Sequence, residues 1–239
     1  MIDLHCHLLP GIDDGAANLE EAVELAAMAA ADGITHAVAT PHIHPGRYDN
    51  NIGSITPAYQ ALKTAIAERG IPLELGMAAE VRISVEMLGM VPTGQIPFLG
   101  EWDGRKVLLL ELPHSHIPPG CDKLVDWLLA KDILPMIAHP ERNKDIMHKL
   151  EKIEPFVSRG CLFQLTSMSV AGKFGDVAHE RALEILQRGW ATIIATDAHN
   201  TNRRPPVLSE GMHAAAEVIG ESAAHQLVYE NPAKLIGLH

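Results

Sequence analysis

The sequence predicts one α/β domain in which a parallel sheet closes into a barrel. Short β-branched or Leu-rich runs alternate with longer amphipathic segments, giving seven β-then-α units at roughly 30-residue spacing. Six of the seven predicted strands end in His, Asp or Glu. A barrel brings all its carboxyl strand ends to one mouth, whereas an open sheet concentrates them at switch points. This distribution favours the barrel, with one strand fewer than the usual eight.

The elements are predicted from the hydrophobic pattern and from residues that start or end helices. Asn18 caps a helix that stops before Gly33, and Thr56–Pro57 opens a helix that ends at Gly70. The apolar runs predict strands at 1–6, 34–40, 71–79, 107–112, 133–138, 161–165 and 191–196. Further helices are expected at 119–131, 144–158 and 176–188 and after residue 196, with a short helix and a hairpin within 81–104.

No linker divides the chain, so residues 1–239 are expected to form a single domain. Its 239 residues are 47% hydrophobic, which suffices for one large core. The net charge of −11 and the lack of a basic stripe predict no nucleic-acid partner. No apolar run reaches about 18 residues and no signal-peptide pattern opens the chain, so we expect no membrane insertion. The odd, widely spaced Cys6, Cys121 and Cys161 indicate a reducing compartment, the cytoplasm.

Two pairs of polar residues carry the clearest chemical signal. His5 and His7 close the first strand, and alternate strand residues point to the same side, so both imidazoles can reach one ion. Asp197 and His199 repeat this spacing after the last strand, which becomes a neighbour of the first when a barrel closes. Imidazole and carboxylate groups in this arrangement indicate a metal site.

The other strand ends add further ligand types. A carboxylate directly after a buried run is costly unless it is paired, solvated or metal-bound. A carboxylate can also bridge two ions, which imidazole cannot, so Glu among His predicts a multinuclear site. In the loop Gly11–Gly15, one of Asp13 and Asp14 is expected to be a ligand and the other a turn or cap residue. The further candidates are His42, Glu80, Glu111 and His139.

The site chemistry points to a metal-dependent hydrolase rather than to a thiol enzyme. Arg142 follows His139 by three residues and is placed to bind a phosphate oxygen at the mouth. A cysteine phosphatase requires Arg six residues after Cys, and this chain has Ile12, Trp127 and Ser167 there. The sequence also has no Gly-x-Ser-x-Gly elbow, P-loop or Gly-x-Gly-x-x-Gly. Mouth loops that commonly contact substrate contain His44, His114 and His116.

The opening Met1-Ile-Asp-Leu-His-Cys-His-Leu-Leu-Pro-Gly-Ile-Asp-Asp-Gly-Ala16 resembles the polymerase and histidinol phosphatase (PHP) superfamily. Within it, the chain is similar to the bacterial capsular-polysaccharide tyrosine-protein phosphatases of the CpsB/CapC group. Further matches run in order along nearly the whole chain: Ala39-Thr-Pro-His42, Gly46-Arg-Tyr-Asp-Asn50, Ala79-Glu-Val-Arg82, Leu110-Glu-Leu-Pro113, Ala138-His-Pro-Glu-Arg-Asn143 and Ala195-Thr-Asp-Ala-His-Asn200.

This resemblance implies a distorted (β/α)7 TIM-like barrel with three divalent metals. Manganese is common in this group, with iron, zinc and magnesium as alternatives. The resemblance implies catalytic roles for Arg142 and Arg204 and substrate contacts for Arg47 and Arg203. Carried over residue by residue, the ligands of the first ion are His5, His7, Glu80 and Asp197, those of the second Glu80, Glu111 and His139, and those of the third Asp14, His42 and His199.

The resemblance also implies a partner. Family members dephosphorylate tyrosines on a bacterial tyrosine autokinase that controls polysaccharide export, so a phosphotyrosine protein is the expected substrate. The same metal site suits a small-molecule phosphomonoesterase for histidinol phosphate or nucleotides, which is the alternative. A third possibility is an inactive regulatory barrel, against which the complete ligand set argues. The histidines of Pro113-His-Ser-His116 match no family role.

Overall fold

The computed structural model describes residues 1–238, along which strands and helices alternate. The strands are β1 (Ile2–Cys6), β2 (His36–Ala39), β3 (His42–Ile43), β4 (Glu74–Met77), β5 (Glu80–Arg82), β6 (Gly100–Trp102), β7 (Arg105–Glu111), β8 (Ile133–Ala138), β9 (Leu162–Thr166) and β10 (Ile193–Ala195). The helices are α1 (Leu19–Ala31), α2 (Ile52–Glu68), α3 (Met87–Met90), α4 (Cys121–Leu129), α5 (Lys144–His148), α6 (Glu154–Val157), α7 (Ser167–Val170), α8 (Asp176–Gln187), α9 (Ser209–Ile219), α10 (Glu221–Val228) and α11 (Glu230–Leu235). Within residues 1–238, none of these helices is both long and apolar enough to cross a membrane.

The strands of the barrel wall run parallel. β2 lies between β1 and β4, and a second series follows the order β3, β5, β7, β8, β9, β10. Kinks divide one strand into β2 and β3 and the next into β4 and β5, but the pairing continues across them. The Ala78 amide donates to Ala39 O at 2.9 Å, and the Glu80 amide donates to Pro41 O at 3.1 Å. The wall therefore has seven strands, and β6 adds the expected hairpin outside it through antiparallel pairing with β7.

The barrel closes where β1 meets the segment that follows β10. Cys6 pairs with Ala198, and the Asp197 amide donates to His5 O at 2.7 Å. The His7 amide donates to Ala198 O at 2.8 Å. These bonds confirm the predicted seven-unit barrel. Among the described residues, β4 pairs only with β2, and a cavity of about 670 Å³ lies beside it, so the wall is splayed at its base.

The alternating faces of the strands supply two hydrophobic clusters. Val107 and Leu109 of β7 belong to the smaller cluster inside the barrel, whereas Leu108 and Leu110 pack in the larger cluster beneath the helices. Because strand side chains alternate, Glu111 takes the same inward face as Val107 and Leu109. Apolar side chains thus fill the barrel below the mouth, and the last inward position of β7 holds a carboxylate.

A register shift in β1 turns its polar residues inward. Ile2 and Leu4 belong to the inner cluster, but Cys6 packs in the outer one. The pairing of β1 with β2 shifts before Cys6, as it does at a β-bulge. The shift places His5 and His7 on the inward side at the mouth, above the apolar interior.

The expected start of the second helix at Thr56–Pro57 is wrong. The helix α2 begins at Ile52, because Asn51 and Ser54 form a capping box in which each side chain accepts the other residue's backbone N–H. The bonds measure 3.0 Å to Ser54 Oγ and 3.4 Å to Asn51 Oδ1. Pro57 therefore lies inside the helix rather than at its first turn.

The single helix expected at 144–158 is also wrong. The segment contains α5, a 3-10 turn at Leu150–Ile153, and α6. Lys149 has an extended backbone with φ −149° and ψ 105°, which interrupts the helical path. The interruption lets Leu150 and Ile153 become buried, so core packing overrides the helical pattern of the sequence.

Candidate metal centre

The predicted ligands converge at the carboxyl end of the barrel. His5 Nε2 lies 3.4 Å from Glu80 Oε2 and 3.3 Å from Asp197 Oδ1. His7 Nε2 lies 3.3 Å from Glu80 Oε2, and His139 Nε2 lies 2.7 Å from Glu80 Oε1. All five residues are buried, so the site lies at the bottom of the mouth. Glu80 is its central carboxylate, because both of its oxygens face imidazoles.

Donor atoms from these residues form overlapping groups. Atoms that lie within 4.8 Å of one another come from His5, His7 and Glu80; from His42, Glu80 and Glu111; from His5, His139 and Asp197; and from His7, Asp14, His42 and His199. The groups use every one of the predicted ligands and share members. His42 takes part in two groups, because its Nδ1 is 2.9 Å from Glu80 Oε2 and its Nε2 is 3.4 Å from Asp14 Oδ1. Overlapping groups fit a multinuclear site better than one isolated ion.

The side chains have the chemistry that a cation requires. His5 Nδ1 is 2.9 Å from Gln164 Oε1, and His7 Nδ1 is 2.8 Å from Asp13 Oδ2. With these Nδ1 atoms protonated as donors, both Nε2 atoms present lone pairs, although they lie only 3.3 Å apart. Within residues 1–238, the buried atoms without a hydrogen-bond partner include His42 Nδ1, Glu80 Oε2, Asp197 Oδ1 and His199 Nε2. His42 Nδ1 and Glu80 Oε2 are close, at 2.9 Å, but are not aligned as a hydrogen bond. Leaving such atoms unpaired is costly, so a divalent cation among them fits the donor set.

Asp13 and Asp14 have different positions. Asp13 accepts from the His7 ring and from the amides of Gly15 and His42 at 2.9 Å and 3.0 Å. Burial alone raises the pKa of Asp13, but His7 and these amides outweigh it and hold the pKa well below its usual range. Asp14 is more exposed and faces His42 and His199. Asp13 thus orients a ligand, and Asp14 is the one positioned to be a ligand.

Gln164 is a functional residue that sequence reasoning missed. Its Oε1 accepts from His5 Nδ1 and from the His139 amide at 3.1 Å, so one side chain orients parts of two strands. Such partners commonly fix the orientation of metal-binding histidines. The sequence feature that could have indicated this role is an amide side chain inside the mostly apolar strand Leu162–Thr166.

Two predicted ligands have unusual backbone conformations. His139 has φ 31° and Asp197 has φ 53°, both in the left-handed region that non-glycine residues rarely adopt. Strain of this kind concentrates at functional sites, where surrounding structure holds it in place. Here the left-handed backbone directs His139, which follows β8, and Asp197, the second residue after β10, into the mouth.

The arginines expected to bind phosphate lie at this centre. Arg142 Nη1 and Arg204 Nη2 both donate to Asp197 Oδ2. Burial raises the pKa of Asp197, but Arg204, His5 and Arg142 hold it well below its usual range. Arg203 is exposed and makes only a backbone contact to Asn200 among the described residues, so Arg204 is the arginine of this pair that reaches the centre.

Aromatic side chains lie at two places beside the mouth. The ring of Phe174 lies 4.6 Å from Arg142 Cζ and 6.0 Å from Arg204 Cζ, and no feature of the sequence had indicated this contact. The ring of Tyr48 stacks on His42 with centroids 5.5 Å apart. The exposed Arg47 lies 5.0 Å from the Tyr48 ring, at the rim rather than at the centre. The mouth therefore combines cationic groups with aromatic surfaces.

Arg82 and His114 contact site residues at the edge of the mouth. Arg82 donates to both oxygens of Glu111, at 2.8 Å and 2.7 Å. Burial and the nearby Glu80 raise the pKa of Glu111 to about 7 despite this ion pair. The ring of His114 lies 5.5 Å from that of His139, and its Nε2 is 3.2 Å from Arg142 Nη2. His114 thus contacts the site, whereas the ring of the exposed His116 is hydrogen-bonded to Ser115.

A barrel with His, Asp and Glu donors at its carboxyl-end mouth defines a class, the metal-dependent hydrolases. Organophosphorus hydrolase from Deinococcus radiodurans shares the fold at a TM-score of 0.58 and 15% identity, over 99% of this chain and 92% of that chain. A much stronger match, with a TM-score of 0.92 and 31% identity, covers 100% of this chain and 95% of the other. It comes from structures of YwqE from Bacillus subtilis and CpsB from Streptococcus pneumoniae, described as unique metal-dependent tyrosine phosphatases.

The chain belongs to the CpsB/CapC family of capsular polysaccharide synthesis, whose pattern matches residues 1–237. The tyrosine-protein phosphatase YwqE of Bacillus subtilis is 32% identical over 227 residues, which are 95% of this chain and 88% of YwqE. The tyrosine-protein phosphatase CpsB of Streptococcus pneumoniae is 27% identical over 244 aligned positions, covering 99% and 98% of the two chains. These matches confirm the family resemblance predicted from the sequence.

Proposed function

We propose that this chain is a metal-dependent protein-tyrosine phosphatase that hydrolyses phosphotyrosine. The observation that supports this most directly is the set of unpaired donor atoms on His42, Glu80, Asp197 and His199. One of these residues, Asp197, also accepts from Arg142 and Arg204 through its other oxygen. Such a site suits an anionic phosphate ester, because it combines places for cations with guanidinium donors. The names of the relatives support the choice of tyrosine phosphate.

We propose that three divalent ions occupy the site, with manganese the best candidate. The overlapping donor groups support more than one ion. The ligands are proposed to be His5, His7, Asp14, His42, Glu80, Glu111, His139, Asp197 and His199. When bound, such ions supply Lewis acidity that activates water and neutralises phosphoryl charge.

The chain's own residues would bind and orient the substrate. A guanidinium has five N–H donors, so Arg142 and Arg204 keep donors for phosphoryl oxygens while one contacts Asp197. Gln164 and Asp13 hold the imidazoles of His5 and His7 in place. Arg47 and Arg203, at the exposed rim, are proposed to contact the protein around the phosphotyrosine.

No cysteine is proposed as nucleophile. Cys6, Cys121 and Cys161 are free and buried. Burial raises the pKa of the Cys6 thiol well above its usual value and that of Cys161 to about 12. A thiol with such a pKa forms little of the reactive thiolate at neutral pH.

The proposal extends to the partner, the compartment and the domain. We infer that the substrate is a bacterial tyrosine kinase of polysaccharide export, which the family's role in capsule synthesis supports. We place the enzyme in the cytoplasm, consistent with its free cysteines. We also propose that residues 1–239 form one phosphatase domain, as the family match over 1–237 supports.

A substrate panel tests this function. Manganese-loaded protein should hydrolyse a phosphotyrosine peptide faster than histidinol phosphate or a nucleoside monophosphate, and a chelator should abolish the activity. A preference for either small molecule would instead support the small-molecule phosphomonoesterase. Protein that retains bound metal but hydrolyses none of the substrates would support the inactive regulatory barrel.

A further inference from the structure

An apolar groove lies beside the mouth and has no part in the proposed chemistry. Its volume is about 330 Å³, and its walls come from the segments that follow β5 and β7. Val85 is 76% exposed and Leu88 is 46% exposed, and together on one groove they form an exposed apolar patch. The groove-lining residues used below are Ile83, Val85, Leu88, Lys123, Leu124 and Trp127.

Both walls of the groove follow strands that carry proposed ligands, Glu80 on β5 and Glu111 on β7. β5 carries Glu80, and the Ile83 amide donates to Glu111 O at 2.9 Å, so the first groove residue is bonded to a proposed ligand. The other wall begins at Pro118, seven residues beyond Glu111. An extended peptide advances about 3.4 Å per residue. A peptide with its phosphotyrosine in the mouth therefore needs only a few residues to reach a groove that begins this close to the proposed ligands.

The size of the groove fits a peptide side chain better than a second copy of the chain. Its volume lies at the low end of the range for ligand pockets, about 300 to 1,000 Å³, and suits one or two large side chains. A stable interface with a second copy buries about 800 Å² per partner, far more than two exposed side chains and this groove provide. The groove is thus better matched to a peptide side chain than to a dimer.

Charge favours the same conclusion. The chain carries a net charge of −11, so its overall field does not attract an anionic phosphopeptide. Apolar contact next to the mouth supplies affinity that this field cannot. Lys123, the charged side chain at the groove, would add a favourable contact to the peptide's anionic groups.

We propose that this groove is a specificity site, which binds a large apolar side chain located a few residues from the phosphotyrosine of the substrate. The proposal rests on the proposed phosphatase function and adds a preference for substrate sequence to it. The site acts on peptide binding and leaves the reaction at phosphorus unchanged.

Paired peptides and groove variants test the proposal. Two series of phosphotyrosine peptides would carry either Leu or Ser at each of the four positions on both sides of the phosphotyrosine. For at least one position, wild-type enzyme should show about tenfold higher kcat/KM with Leu, mainly through KM. The double variant Val85→Ser, Leu88→Ser should abolish this preference while keeping kcat/KM for p-nitrophenyl phosphate and the metal content. Val177→Ser, at a 45% exposed valine on α8, is the matched control and should keep the preference.

Each other outcome has a distinct meaning. Wild-type enzyme that hydrolyses all peptides equally would overturn the groove proposal and leave the phosphatase function intact. An equal loss of activity on p-nitrophenyl phosphate in the groove variant would also overturn it, since the groove would then act through the metal centre. A lower molecular mass of the variant in solution, with the peptide preference kept, would assign the groove to a second copy. Wild-type protein inactive on every phosphate ester would refute the proposed function itself.

Discussion

Glu80 faces four imidazoles of the site. Its two oxygens face His5, His7, His42 and His139 within 3.4 Å. A bridging carboxylate should therefore support more than one ion, whereas an imidazole such as His42 does not bridge and should be needed for one ion. We expect Glu80→Ala to lose roughly two metal equivalents per chain and His42→Ala roughly one, as measured by elemental analysis. Glu80→Ala protein with full metal content would refute the bridging role.

Arg142 and Arg204, which donate to Asp197, should both contribute to turnover. Arg142→Ala and Arg204→Ala should each lower kcat on p-nitrophenyl phosphate by about 10²-fold or more, because each removes a charge-stabilising donor. Arg203→Ala, at the exposed neighbour, should keep kcat near wild type on this small substrate. Melting temperature and metal content serve as controls and should change little. Equal effects of Arg203→Ala and Arg204→Ala would contradict the assignment.

Phe174 offers a test of arginine positioning. Its ring contacts both guanidiniums, and a cation–π contact contributes about 1 kcal/mol, which corresponds to about fivefold in rate. Phe174→Leu should lower kcat/KM by about that factor, and Phe174→Tyr should restore it. In the Arg142→Ala, Arg204→Ala background, Phe174→Leu should have no further effect. Full additivity would show that Phe174 acts independently of the arginines.

Most site residues could be predicted from the sequence because they follow strands directly. A polar residue after an apolar run can be recognised in a sequence, so His42, Glu80, Glu111 and His139 could be predicted. Gln164 and Phe174 could not, because their roles depend on which strands and loops become neighbours. The start of α2 was missed for a local reason: the capping box at Asn51 outweighs the Thr–Pro signal.

The loop between β1 and α1 folds back over the mouth, where Asp13 contacts His7. Gly15 allows the close approach, because an added Cβ would lie 2.0 Å from His7 O. Gly15→Ala should therefore displace Asp13 from His7 and weaken metal affinity by about 10-fold or more. Isothermal titration with Mn²⁺ would measure this. Gly89→Ala, where an added Cβ meets nothing within 4 Å, is the control; equal affinities in both variants would contradict the role of the loop.

At the scale of the whole molecule, the barrel brings residues from both ends of the chain together. Asp3 accepts from Thr196 N at 3.0 Å, and His5 O accepts from Asp197 N, so the first and last strands assemble one side of the site. The alternation of strands and helices predicted this topology. It could not predict the register, which depends on the bulge in β1, or the splayed base beside β4.

Hydrolysis should depend on a multinuclear metal centre, and a titration of metal-free protein with Mn²⁺ measures this dependence. The rate of p-nitrophenyl phosphate hydrolysis would be measured against bound equivalents per chain. We expect a negligible rate without metal, little activity at one equivalent, and a plateau near three, the number of ions proposed for the site. Full activity in metal-free protein, or a plateau at a single equivalent, would contradict it.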